Sequence, residues 1–266
     1  MADYDGGLLG KTALVIGGTR GIGWAICKAL DRRGARVVTC GSTAKSVASA
    51  LADASDFENG LEAIQADACN EADVSALVEH AKSLDGSFSC VVFCAGKALR
   101  GNAIETSARD WDQCLELNLK APFLAAKLTV PHLSNVEHAS MTFVSSIWAV
   151  TATRHRLAYS VAKAGMAALA RNLAIDHGPD GIRVNAVAPG YIDTELLRRS
   201  MRELSPDRDL MPSMIMQHPL HRIGRPSDVG EAVGFLASPS AGFITGQLLV
   251  IDGGISVKFG PADMWG

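Results

Sequence analysis

Thr12-Ala13-Leu14-Val15-Ile16 runs straight into Gly17-Gly18-Thr19-Arg20-Gly21-Ile22-Gly23. The first run has the length and apolar content of a buried strand, and the stretch from Gly21 to Arg33 has the alanine and leucine content of a helix. Between them the glycines turn tightly. Such a turn lets backbone N–H groups approach a pyrophosphate, and the helix N-terminus adds a partial positive charge. Geometry alone also demands glycine in a tight strand-to-helix connection, so the turn by itself leaves both readings open.

Outward from this unit the same alternation continues. Further strand-like runs are Arg36 to Cys40, Leu61 to Ala66, Ser89 to Cys94, Met141 to Ser145, Arg183 to Ala188 and Gln247 to Ile251. Segments between them, such as Trp111 to Leu133 and Tyr159 to His177, read as helices. Strand and helix in alternation predict an α/β domain: a seven-stranded, mostly parallel sheet with helices on both faces, taking residues 1–266 as one unit. In such sheets ligands bind beyond the carboxyl ends of the strands, at the switch in strand order. The chemistry is therefore expected just after Ile16, Cys94, Ser145 and Ala188.

Composition narrows the partners. The 266 residues include 25 basic and 28 acidic side chains, a formal net charge of -3, so no broad cationic field attracts nucleic acid or an anionic membrane. Small molecules or copies of the chain remain. No apolar run approaches the ~18 residues of a membrane span, and Met1 to Gly10 lacks the basic start of a secretory signal. A cytoplasmic location is expected. Six cysteines are too sparse for a disulfide scaffold. Cys90 and Cys94 share one strand face and read as small buried hydrophobes, and no metal site is expected.

Tyr159 and Lys163 are four residues apart, on one side of a helix. A cation about 4 Å from a phenol contributes roughly 4 kcal/mol at an effective dielectric of ~20, partly offset by desolvation. The remainder shifts the phenol toward a range where it exchanges protons near neutrality. Tyr-x-x-x-Lys is common in surface helices, so its neighbours matter. Ser146 lies at the end of the fifth strand, thirteen residues earlier, where a hydroxyl can hydrogen-bond a substrate carbonyl. Asn118 falls on the helix after the fourth strand, where an amide can hold a water or a helix carbonyl in a relay. Asp67 follows the third strand, where an acid can accept from an adenine amino group and where, taken singly, it reads equally as a solvated loop acid.

Together these residues resemble the short-chain dehydrogenase/reductase family, from about Leu9 to Gly254. The likeness rests on Gly17 to Gly23, Asp67, Cys94-Ala95-Gly96, Asn118, Ser145-Ser146, Tyr159 with Lys163, Pro189-Gly190 and Ile251 to Gly254. It implies a Rossmann fold and hydride transfer between NADP(H) or NAD(H) and a small ketone or secondary alcohol. Tyr159 is implied as the general acid–base and Ser146 as the group polarising the carbonyl. Lys163 is implied to lower the tyrosine pKa and hold the nicotinamide ribose, and Asn118 to maintain the proton relay. Implied cofactor contacts are Gly17, Thr19, Arg20, Gly21, Ile22, Gly23, Ser42, Thr43, Asp67, Ala68, Cys94, Ala95 and Gly96. Beyond them, Pro189, Gly190 and Ile192 present backbone to the carboxamide, and Thr194 lies near the pyrophosphate. Two departures are that Ile16 replaces the usual opening threonine and Phe93-Cys94 the usual asparagine pair, which affects local rigidity rather than chemistry. A homotetramer through the long helices after the fourth and fifth strands and the C-terminal strand is also implied.

Two other readings share the fold. A non-catalytic sensor of nicotinamide redox state has no need of the complete Ser, Tyr, Lys and Asn set, and a cofactor-retaining epimerase or dehydratase usually carries a larger substrate domain. Residues 191–225, with Leu196, Leu197, Met201, Leu210, Met211, Met214, Ile215 and Met216 among charges, read either as an adaptable cover or as the inner face of two short helices. Arg154, His155 and Arg156 hint at an acidic substrate group. Thr39-Cys40-Gly41-Ser42-Thr43 carries no acid to repel a 2'-phosphate, and Arg20 can hold one. NADP is therefore expected over NAD, although Ser42 stands where many NADP-using relatives have a second arginine. Lys45 adds at most a minor contribution.

Overall fold

The computed structural model describes residues 7–85, 88–205, 207 and 209–258. Its elements in chain order are β1 (Thr12–Ile16), α1 (Gly21–Asp31), β2 (Arg36–Gly41), α2 (Ala44–Ala52), β3 (Leu61–Gln65), α3 (Glu71–Asp85), β4 (Cys90–Phe93) and α4 (Ala108–Leu115). They continue with α5 (Ala121–Leu133), β5 (Ser140–Val144), α6 (Leu157–His177), β6 (Arg183–Pro189), α7 (Glu195–Leu204), α8 (Met211–Gln217), α9 (Pro226–Ala237) and β7 (Leu248–Ile251). The strands form one seven-stranded sheet in the order β3-β2-β1-β4-β5-β6-β7. All six strand pairings are parallel, so the sheet is more uniform than "mostly parallel": each described connection crosses back over a face. The order reverses between β1 and β4, and there the crevice opens.

Alternation along β1 divides the core. Leu14 and Ile16 face a layer that includes Val74 and Leu77 of α3, Ala125 of α5 and Met166 of α6. Ala13 and Val15 face the opposite layer, with Ile26 and Leu30 of α1 and Val229 and Val233 of α9. Burial on both faces explains why the strands read as continuous apolar runs. Cys90 and Cys94 do share a face, that of the second layer.

One helix differs from the sequence reading. Trp111 to Leu133 is not continuous: α4 starts earlier, at Ala108, behind the Ser107 cap, and a single π-helical turn over Glu116–Lys120 separates α4 from α5. Glu-Leu-Asn-Leu-Lys has ordinary helix propensities, and the widening comes from what its asparagine bonds. Among the described residues no helix is long and apolar enough to cross a membrane.

Candidate active site

The glycine turn hugs the loop that follows β4. Gly17 has φ +89°, and a Cβ there would lie 2.6 Å from the Ala95 nitrogen. A Cβ on Gly23 would collide with the Gly17 carbonyl, so the first turn of α1 closes against bare backbone. The Gly18 N–H donates to Thr39 Oγ1 at 3.0 Å, and that hydroxyl donates to the Val15 carbonyl at 2.7 Å. No carboxylate stands in the first turn of α1, leaving its positive end free for an anion. Across this space lies Thr194, whose Cγ2 is 3.5 Å from the Cβ position of Gly21. A pyrophosphate fits the cradle.

The implied catalytic groups converge beyond the carboxyl ends of β4 and β5. Ser146 is buried directly after Val144-Ser145 and accepts from the Trp148 N–H at 3.3 Å. Its hydroxyl reaches the half-buried Tyr159 phenol. Lys163, 3% exposed, lies with its Nζ 5.6 Å from the Tyr159 ring centroid. Ser145 Oγ donates to the Lys163 carbonyl at 2.9 Å, tying α6 to the strand end. Asn118 is fully buried in the π turn, where Nδ2 donates to the Lys97 and Cys114 carbonyls at 3.1 and 2.9 Å and Oδ1 accepts from the Lys97 N–H at 3.3 Å. A π turn at a functional residue is a recurrent device. Here it aims one amide at the loop after β4.

The electrostatics depart from the implied role of Lys163. Its ammonium donates to the Val144 carbonyl at 2.9 Å. Burial pushes Tyr159 up to about 12, opposed by the Ser146 hydrogen bond and by the Arg156 guanidinium. Burial brings Lys163 down to about 8. Desolvation outweighs attraction because the site disfavours the charged form of both groups. The cation that lowers the phenol is Arg156.

The remaining expected cofactor residues are arranged in two groups. At the adenosine end, Ser42 and Thr43 are exposed after β2, with Thr43 capping α2 by accepting from the Ser46 N–H. Arg20 is exposed at the start of α1 and forms no ion pair among the described residues. Asp67 is exposed, with Oδ1 accepting from the Cys69 N–H at 2.9 Å, and Ala68 is buried beside it. Where the nicotinamide end is expected, the Gly190 N–H donates to the Ile251 carbonyl at 2.9 Å and Ile192 is buried, while beside the glycine turn Thr194 caps α7 by accepting from the Leu197 N–H at 3.2 Å. Phe93 is buried and Cys94 half-buried, and burial pushes the Cys94 thiol up to about 12 against the pull of Lys163.

Within 191–225, Pro206 and Arg208 lie outside the described residues. Met214 is buried, Leu197, Met201, Leu210, Met211 and Ile215 are half-buried, and Leu196 and Met216 are exposed. Trp148 and Tyr191 meet edge to face at 6.1 Å, and Tyr191 and His218 at 5.9 Å. Two arrangements had no sequence signal. Arg156 reaches from α6 toward the loop after β4 and toward α7, and His155 Nδ1 meets Glu105 Oε2 at 2.9 Å across fifty residues of chain.

Comparison with known proteins gives the family. A family model described as Enoyl-(Acyl carrier protein) reductase matches residues 17–256, and the chain belongs to that family of short-chain dehydrogenases and reductases. The cis-4-hydroxycyclohexanecarboxylate dehydrogenase of Sinomonas cyclohexanicum is 36% identical over 249 residues, covering 92% of this chain and 96% of its own. Oxidoreductase UcpA of Salmonella typhimurium (strain LT2) is 32% identical over 256 residues, covering 94% and 95%. Among solved structures, ligand-free aldohexose dehydrogenase of Thermoplasma acidophilum superposes with a TM-score of 0.87 at 30% identity, covering 96% of this chain and 98% of that one. The protein is an oxidoreductase that transfers hydride between a nicotinamide cofactor and an alcohol or ketone carbon.

Burial of the ammonium carries a stability cost. It brings Lys163 down from 10.5 to about 8, so the penalty is full below pH 8 and fades as pH rises toward 10.5. Lys163→Met should therefore be more stable than the parent at pH 7, by up to about 3 kcal/mol less the lost hydrogen bond to Val144. That advantage should shrink by pH 10. Calorimetry of the ligand-free proteins at both pH values checks it, and a gap independent of pH would refute it.

Proposed function

We propose that Tyr159 is the general acid–base of this reaction, that Ser146 and Tyr159 together hold the substrate oxygen, and that Asn118 and Lys163 complete a proton relay to solvent. The observation that carries the reading is the convergence of Ser146 on Tyr159, beside the buried Lys163 and Asn118, at the carboxyl edge of the sheet. When bound, the nicotinamide supplies or accepts the hydride. The side chains orient the carbonyl, stabilise charge growing on its oxygen and deliver the proton. A phenol held protonated by burial is the form that reduction requires. Tyr159→Phe keeps the ring and removes the donor, so kcat should fall at least ~10²-fold with cofactor affinity nearly unchanged. Steady-state assays paired with cofactor titration test this, and retention of most activity would overturn the assignment.

The adenosine end favours NADP(H). No acid follows β2, Arg20 is free of carboxylates among the described residues, and exposed Lys45 adds nearby charge. A guanidinium binds a 2'-phosphate through charge-assisted hydrogen bonds. With one arginine where relatives often have two, the preference is partial. Values of kcat/KM with each cofactor should favour NADP(H) in the parent, and Arg20→Ala should lose most of that preference. A parent that favours NAD(H) ends this part of the reading.

The chain is taken to act as one cytoplasmic domain, residues 1–266, with 191–225 covering the substrate, and to assemble as a homotetramer. An open apolar hollow lined by Leu115, Leu119, Phe123 and Leu169, rimmed by Glu116 and Lys120, supports assembly through α4, α5 and α6. Leu249 and Val250 of β7, 40% and 37% exposed, supply a second face. Contiguous exposed apolar surface of this kind marks association sites. Light scattering should give about four times the 28.0 kDa chain mass, and a 28.0 kDa species would remove the tetramer.

A further inference from the structure

Three arginines of α7 are committed to acids: Arg198 pairs with Asp193, Arg199 with Glu203 and Arg202 with Glu195. Arg156 is different. It is half-buried, and its hydrogen bonds go to neutral acceptors, the Leu99 carbonyl at 3.4 Å and Ser200 Oγ at 3.1 Å. Among the described residues it has no carboxylate partner. It immediately precedes Leu157, the first residue of α6, three residues before Tyr159.

Several features leave this guanidinium short of an anion. A guanidinium has five N–H donors and these two bonds use two of them. Its charge acts on the Tyr159 and Tyr191 hydroxyls, and its bonds to Leu99 and Ser200 set it between the loop after β4 and α7. Burial and the Arg100 guanidinium both lower its pKa, opposed by the two tyrosines and by Glu203. The first turn of α6 carries no acidic residue, so the positive end of a 21-residue helix adds to the same potential. A half-buried cation with no carboxylate in ion-pair contact is costly to keep.

We propose that Arg156 binds a carboxylate carried by the substrate, about one helix turn from the reacting carbon, which makes the preferred substrates oxo and hydroxy carboxylic acids. The inference rests on Tyr159 marking the reacting carbon. A planar monovalent carboxylate matches the planar donor fork, which one arginine can satisfy. Ser200 and Leu99 hold the side chain across the mouth of the cleft, so it is positioned before substrate arrives.

The test is reduction of 4-oxopentanoate and 5-oxohexanoate against their methyl esters, by the parent, Arg156→Gln and Arg156→Lys. The parent should prefer at least one acid over its ester in kcat/KM by about tenfold or more. Arg156→Gln should lower that ratio by about tenfold, mainly through KM, and Arg156→Lys should retain part of it. Absence of turnover of both acids, no preference for either, or a ratio unchanged in Arg156→Gln would overturn the proposal. So would equal losses on acid and ester, which would make Arg156 a latch between Leu99 and α7 or a modulator of Tyr159. Failure of the Tyr159 assignment registers separately, as unimpaired turnover by Tyr159→Phe with the acid-to-ester ratio intact.

Discussion

The Ile16 carbonyl accepts two hydrogen bonds, from the Cys94 N–H at 2.9 Å and the Ala95 N–H at 3.0 Å. That shared acceptor joins β1 to β4 at the one place where the strand order reverses. Past it, the two chains must part in opposite directions, one into the glycine turn and one into the loop that reaches Asn118. The absence of a side chain on Gly17 lets them part at backbone contact. Everything built at the carboxyl edge takes its position from this junction: α1 aims its N-terminus over it, and Asn118 reads the loop on its other side through both polar groups of Lys97.

The strands were legible because a sheet covered on both faces leaves little choice of residue. β1 and β7 were read to within one residue at each end, and even Cys90 and Cys94 were assigned to a common face by period alone. The two departures at Ile16 and Phe93-Cys94 suggested lost local ties. Thr39, one strand away, supplies one instead, its hydroxyl joining the Gly18 N–H to the Val15 carbonyl. A tie formed across strands leaves no mark in the sequence around the glycine turn. The π turn was hidden for a related reason, since its cause is the contact of Asn118 with a loop twenty-one residues away.

The candidate site was legible in membership but not in electrostatics. Residue types gave Ser146, Tyr159, Lys163 and Asn118, and a pairing energy in a dielectric of ~20 made Lys163 the natural activator of the phenol. That estimate omitted the competing acceptor, the Val144 carbonyl at the end of β5. It also underweighted desolvation, which acts on both partners and drives each toward neutrality. Arg154, His155 and Arg156 together hinted at an acidic substrate group, yet the chain disperses them. Arg154 is exposed, His155 turns aside with φ 59° to meet Glu105, and Arg156 alone turns toward the tyrosines.

The same reasoning explains how a thinly packed helix can serve both ends of the crevice. The ion pairs Arg199–Glu203 and Arg202–Glu195 lie on the exposed side of α7, where such pairs contribute little, and none of its residues is buried. What fixes α7 is its inner edge. Thr194 caps it beside Gly21, and Ser200, six residues further on, meets Arg156. Six residues of helix span about 9 Å. One short helix thus meets the glycine turn with its cap and Arg156 with its middle. A segment with few buried apolar contacts opens at low free energy, so the position of α7 depends on these two contacts at its inner edge.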